Sequence, residues 1–367
     1  MFHGSYHPSD VTFLLKPLCN ATLVDVAEKE QLIQSGQKHY SEMISLEQQP
    51  SAAYMQLFEQ AWAQNGDRTA LDHLKLAAKL HASKLGHITL ISLARAGTPV
   101  GVILKRLLEN IFQRSVTHYS VSIIRDRGID TRALDYILAQ GHSAESIAFI
   151  DGWTGKGVIT QELHHSIMRY NQDHHSAIDP SLWVIADLAG VAHHAATQDD
   201  YLIPSSILNA TISGLISRSI LDDSIRGDDF HGCLYYEHLE AQDISLRYVN
   251  DLCQRAQKQA HAHPEYLKNQ PHPSDAARKE HIKSLMSELM QRHNVQHINH
   301  IKPGIGEATR VLLRRAPKLL ILRHKSDDNT QHMRSLASDK NIPTHIDPSI
   351  SPYQAIAIIK DIRHAAP

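Results

Sequence analysis

Between Ile88 and Gly190 the chain repeats one pattern: a short apolar run, an unusual loop, then a helical stretch. "ITLISLA" (Ile88 to Ala94) precedes "PVGVILKRLLENIF", and "YSVSII" (Tyr119 to Ile124) precedes "TRALDYILAQ". "SIAFI" (Ser146 to Ile150) leads into a third helical pattern, and "LWVIADLAG" (Leu182 to Gly190) is a fourth run. Short runs rich in Ile, Val and Leu read as strands buried on both faces. Strands separated by helices imply a parallel sheet covered on both sides, an α/β fold. In such sheets ligands bind at the carboxyl ends of the strands. The odd loops fall there, after Ala94, Ile124, Ile150 and Ile185.

The length of 367 residues allows two domains or three. A net charge of −2 gives no global attraction to nucleic acid, so any such site is local. No apolar run is long enough to span a membrane. The start, "MFHGSYHPSD", lacks the pattern of a signal peptide. Cys19, Cys233 and Cys253 have no metal-ligand spacing, so a reducing cytoplasm is expected. Histidine is abundant, at 27 residues, but pairs such as His164-His165 point apart on a helix and match no zinc pattern. The polar stretch from Gln254 to His281 reads as a boundary. This gives a sheet domain over 1–255, a linker over 256–280 and a small domain over 281–367.

The loop "DGWTGKG" follows the third run and opens a helix. It lacks the Gly and Ser/Thr positions of a Walker loop and is not GxGxxG. Gly152, Thr154, Gly155, Lys156 and Gly157 can still wrap a phosphate at a helix start, with Asp151 accepting from sugar hydroxyls. Arg95, Ala96 and Gly97 offer a second anion site. Arg125 and Arg127 stand after the next strand.

These loops resemble the phosphoribosyltransferase fold. "IAFIDGWTGKG" looks like that family's loop for phosphoribosyl pyrophosphate (PRPP), with Gly152 where the family has a second acid. "SLARAGTP" resembles its pyrophosphate loop, and "WVIADLAGVA" resembles the next strand, with Asp187 at the base pocket. "GSYHPSDVTFLLK", "DDYLIPSSILNATISGLISRS" and "FHGCLYYEHLEAQDISLRYV" look like a bacterial group from tellurium-resistance stress operons. There, a phosphoribosyltransferase domain precedes a Pelota-type RNA-binding domain. Members are sometimes called cysteine proteases, yet no cysteine here has an evident His and Asn arrangement. Leu208, Ile212, Leu215, Ile216 and Ile220 follow helical spacing, whereas Ser205, Ser206 and Asn209 can face an acceptor pocket.

From Ile301 to Lys325 there are seven basic residues and one acid, a local balance of 7 − 1 = +6. The pattern beyond Ile301 reads helix (306–315), strand (318–322), helix (329–340), then a strand near Thr344, a small α/β sandwich. "KPGIGEATRVLLRR" resembles the helix-opening motif of the Pelota domain. That resemblance puts Gly304, Glu307 and Arg310 at RNA, with Lys302 and Arg314 on its backbone. The combined expectation is transfer of a phosphoribosyl group from PRPP to a base-like acceptor. Mg²⁺ would be held at Asp151, Arg95, Arg125 and Arg127 would assist, RNA would bind the C-terminal domain, and the chain would form a homo-oligomer. The rival expectations are a PRPP or nucleotide sensor coupled to RNA binding, and an RNA-directed enzyme.

Overall fold

The structure, a computed structural model, describes residues 1–19, 23–268, 276–315 and 317–360. The strands of the first part are β1 (Thr12–Leu14), β2 (Lys16–Pro17), β3 (Ile88–Leu93), β4 (Val116–Val121), β5 (Ile123–Ile124), β6 (Gly128–Ile129), β7 (Ile147–Thr154), β8 (Leu182–Asp187), β9 (His194–Thr197) and β10 (Gly232–Cys233). Its helices are α1 (Val26–Gln34), α2 (Ala52–Ser83), α3 (Gly97–Asn110), α4 (Thr131–Ala139), α5 (Val158–His174) and α6 (Ser245–Ala262). The six-stranded sheet runs β1-β4-β3-β7-β8-β9, with every pairing parallel. That is the mixed α/β architecture read from the apolar runs. The narrower phosphoribosyltransferase type is not something the strand order establishes.

Both faces of the sheet are dry, which is why its central strands are mostly apolar, with buried Thr89 and Ser92 as exceptions in β3. Every residue of β3 and of β8 is buried. Successive side chains alternate between two cores. Ala148 and Ile150 pack with α2, α3 and α6 residues, whereas Ile147 and Phe149 pack with Leu134, Ile137, Leu163 and Ile167 of α4 and α5. Gly97 opens α3 hard against β7: a Cβ there would lie 2.4 Å from the Ile150 carbonyl oxygen.

Several local readings change. The second run pairs from Val116 because Val116 lies opposite Ile88, and Ile123–Ile124 turns away to pair with Gly128–Ile129. The Leu208–Ile220 stretch, of helical spacing, forms no α-helix; it holds one short 3-10 turn, Ala210–Ile212, just after another at Pro204–Ser206. Gly214 and Leu215 both adopt positive φ, which no continuing helix permits. Part of the expected linker is ordered helix: α6 continues to Ala262 and buries Leu252, Cys253, Ala256 and Ala260 on one face. Pro271 and Pro273 of that stretch lie outside the described residues.

The second part comprises α7 (Ala276–Arg292), β11 (Ile301–Pro303), α8 (Ile305–Arg314), β12 (Pro317–Leu322), α9 (Gln331–Asp339), β13 (Thr344–Ile346) and β14 (Ala355–Ile359). Its sheet runs β11-β14-β12-β13. Ile305, Ala308, Val311 and Leu312 form the inward stripe of α8, and this core is continuous with the one beneath α2 and α3. The two parts are joined at Asp200. Its carboxylate accepts N–H bonds from Ile305 (2.9 Å) and Gln354 (2.8 Å). Arg278 of α7 donates to the Leu188 carbonyl at 3.1 Å and to the Gln198 carbonyl at 2.9 Å.

Replacing Asp200 by Ala strips two buried N–H groups of their acceptor, at about 1–3 kcal/mol each. The variant is expected to unfold at clearly lower urea concentration than the wild type, followed by circular dichroism. An unchanged midpoint would contradict the joint.

Candidate site at the seam between the two parts

The loop after β7 lies against the second part of the chain. Lys156 donates its ammonium to the carbonyls of Ile298 (2.7 Å) and Ile301 (3.0 Å). The Gly155 carbonyl accepts the Tyr353 hydroxyl at 2.7 Å. Thr154 is buried and donates its hydroxyl to Asp187. Asp187, also buried, receives the N–H groups of Val191 and Ala192, both at 3.1 Å, and so fixes the turn after β8. Gly157 takes the left-handed φ of 82° that ends the loop and starts α5. The groups read as a phosphate cradle therefore hold a protein domain.

Across the loop stands α8. Gly304 has φ +90°, and a Cβ on it would lie 2.7 Å from Leu188. Only glycine suits both the conformation and the approach. Arg310 donates from Nε to the Ser206 carbonyl (2.7 Å), pairs with Glu307 (3.3 Å) and lies 5.3 Å from the centre of the Trp153 ring. Trp153 also hydrogen-bonds Glu307. Gly304, Glu307 and Arg310, which the sequence reading put at RNA, thus face the sheet edge. Lys302 is half-buried beside them. Arg314 ends α8, and its side chain lies outside the described residues.

Two small cavities flank Trp153. One, of about 10 Å³, is bounded by Asp200, Ser206, Gly304 and Glu307. The other, also of about 10 Å³, is bounded by Arg95, Ala96, Ser205, Asn209 and Arg310. The Ser206 hydroxyl is buried and makes no hydrogen bond among the described residues. Burial pushes the Asp151 carboxyl up to about 7, although the Gly152 N–H and Arg310 act against it. Burial and the positive charges of Lys302 and Arg125 bring the Lys156 ammonium down to about 7. Burial alone would raise Glu307, but Arg310, Lys302 and Lys156 outweigh it and hold the carboxyl below its usual range. Burial also pushes the Asp200 carboxyl up to about 6, against the backbone N–H groups it accepts. The seam thus holds one firm carboxylate at Glu307, two raised acids at Asp151 and Asp200, and one lowered amine at Lys156.

The expected arginines have partners in the first part. Arg95 pairs with Glu47 at 2.5 Å and donates to the Ile216 carbonyl. Arg125 donates its backbone N–H to the Tyr40 hydroxyl at 2.7 Å, and Arg127 pairs with Glu42. Gly152 lies against Ala96, at ordinary contact distance for a Cβ. Among the described residues no group of three His, Cys, Asp or Glu could hold a metal ion. No helix among them is long and apolar enough to cross a membrane. The sequence reading missed Trp153, Asp200, Glu47 and Tyr353. Only the large aromatic within "DGWTGKG" offered a signal, since a tryptophan in a Gly-rich loop needs something to pack on.

Sheet and seam define a two-part α/β protein, a parallel-sheet unit to which a smaller α/β unit is docked in cis. Residues 4–253 match a family described as tellurite-like stress resistance cysteine protease StiP, and residues 281–361 match the PELOTA RNA binding domain. The protein named Cysteine protease StiP from Acinetobacter baylyi is 42% identical over an alignment of 371 positions that covers 98% of this chain and 95% of that protein. The chain belongs to the StiP family. Among solved structures, a multiple substrate aminotransferase from Thermococcus profundus aligns over 96% of this chain and 86% of its own, at 10% identity and a TM-score of 0.23, too low for any argument.

These findings correct the expected activity. The family and the relative are both described as cysteine proteases, not as transferases, and nothing found concerns PRPP. Phosphoribosyl transfer, the PRPP-sensor rival and the transferase role given to Mg²⁺ are set aside. The loop meant for phosphate is filled by the C-terminal part. The dismissal of the cysteines is corrected with it.

A carboxyl whose folded pKa is raised stabilises the fold fully below its unfolded value, near 3.8, and loses that contribution as pH rises through about 7. Asp151→Asn is therefore expected to be more stable than the wild type above pH 7, with the gap closing toward pH 4. Urea unfolding across that range reads it; a gap that does not change with pH would contradict the burial of Asp151.

Proposed function

We propose that the chain acts in resistance to tellurite-like stress by engaging RNA at the seam between its two parts. One observation carries the reading: the segment matching an RNA-binding domain sets its α8 against the carboxyl edge of a parallel sheet. Ligands of parallel sheets approach that edge, so a molecule held at the outer end of α8 lies beside the loop after β3, where Arg95 and Arg310 border one cavity. The excess of positive charge from Ile301 to Lys325 supplies long-range attraction for a polyanion. Three free thiols suit a reducing cytoplasm. The full-length protein is expected to bind a single-stranded RNA of roughly 12 nucleotides, with affinity falling steeply as salt rises. Fluorescence anisotropy reads this; no binding at low salt would end the proposal.

A second reading is thiol-dependent peptide hydrolysis, favoured by the words that describe the family and its Acinetobacter member. A thiol attacks as its thiolate and needs access and a neighbouring base or cation. Cys233 is buried in β10, and burial pushes its thiol up to about 12. Nearby His231 places Nδ1 2.7 Å from the Ser122 hydroxyl. Cys253 is buried in α6, and burial takes its thiol up to about 11 despite Arg106. Cys19, just after β2, is exposed. A peptidase activity in this chain therefore falls to Cys19. Cys19→Ser is expected to abolish such activity, and Cys233→Ser to leave it intact; loss on the second substitution alone would contradict the assignment. Mass spectrometry after native alkylation is expected to find Cys19 modified before the other two.

A further inference from the structure

Guanidinium groups from separate stretches of the chain gather along the rim of the seam. Arg125 and Arg218 both lie over the Tyr40 ring, 5.4 Å and 6.0 Å from its centre. Tyr40 stands before α2, Arg125 after β4, and Arg218 beyond the Ala210–Ile212 turn. Arg218 is also close enough to Arg95 and to Arg315, at the end of α8, to be repelled by both. Arg95 in turn borders the same cavity as Arg310. The track thus begins between the two parts and runs out over the first.

Carboxylates answer some of these charges. Glu47 holds Arg95, Glu307 holds Arg310, and Glu42 holds neighbouring Arg127. Arg218 lies within electrostatic reach of Glu47 and Tyr40 as well as of the two arginines. Loss of surrounding water, then repulsion from Arg95 and Arg315, holds its guanidinium below the usual range, yet it keeps contact with solvent. Like charges gathered at an accessible rim suit a ligand carrying several negative groups. Planar guanidinium forks match phosphate oxygens, and the Tyr40 ring holds two of them in place by cation–π contact.

We infer that this rim binds single-stranded RNA, its phosphates gripped by Arg125, Arg218 and Arg315, with Tyr40 as the residue that positions the first two. The inference rests on the RNA reading above and adds where the strand runs. The motif face of α8 is turned inward, so the strand meets the chain along the rim rather than on that face.

The test uses full-length protein and a labelled single-stranded RNA of about 12 nucleotides. Arg218→Glu and Arg125→Glu are each expected to weaken binding roughly tenfold or more and to lower the salt slope by about one. Tyr40→Ala is expected to weaken it several-fold with little change in that slope. Lys258→Glu, an exposed reversal on α6, is the control for net charge and is expected to change affinity less than twofold. Urea midpoints matching the wild type show that the variants fold, and Arg218→Gln serves if the reversal does not. Wild-type binding with Arg218 and Arg125 variants no weaker than Lys258→Glu would overturn the track while leaving the RNA reading in place. Tighter binding of duplex RNA than of the single strand would overturn it too. A wild type that binds no RNA fails the broader reading instead.

Discussion

The loop after β7 has a fixed set of donors and acceptors, and the C-terminal part takes them. Lys156 satisfies two carbonyls of that part, and Gly155 receives a hydroxyl from it. Asp200 returns the arrangement by accepting two of its N–H groups. A buried donor or acceptor without a partner is costly, so each contact makes the others necessary. The continuous apolar core beneath them leaves the two parts little freedom to shift. Everything else about the site follows from this docking, including the inward face of α8 and the elevated Asp151 carboxyl.

The parallel sheet was legible because its cause is local. A strand buried on both faces must be largely apolar, and β3, β7 and β8 announce this in their own residues. Helix α6 was not, because its buried stripe of Leu252, Cys253, Ala256 and Ala260 lies within a polar, His-rich stretch. The site was legible as a place and not as a chemistry. A Gly-rich turn carrying Thr154 and Lys156 looks the same whether its partner is a phosphate or a carbonyl oxygen. The deciding partners, Ile298, Ile301 and Tyr353, lie 142, 145 and 198 residues away from the loop groups they meet. Asp200 and Gln354, equally remote, gave no sign of each other.

Membership of the StiP family and the RNA-binding match set two functions side by side. The geometry treats them differently. The thiols of Cys233 and Cys253 are locked in the core, whereas the seam gathers titrating groups and guanidinia where two units meet. A unit that matches an RNA-binding domain is fixed here to the loops of a sheet, so any ligand it held would neighbour those loops.

The docking itself is open to one direct measurement, amide hydrogen exchange at Ile305 and Gln354. Both N–H groups should exchange slowly in the intact protein and lose protection together in Asp200→Ala, while amides of β3 stay protected. Rapid exchange of the two in the wild type, or protection that survives removal of the carboxylate, would mean that the C-terminal part does not sit on the sheet edge as described.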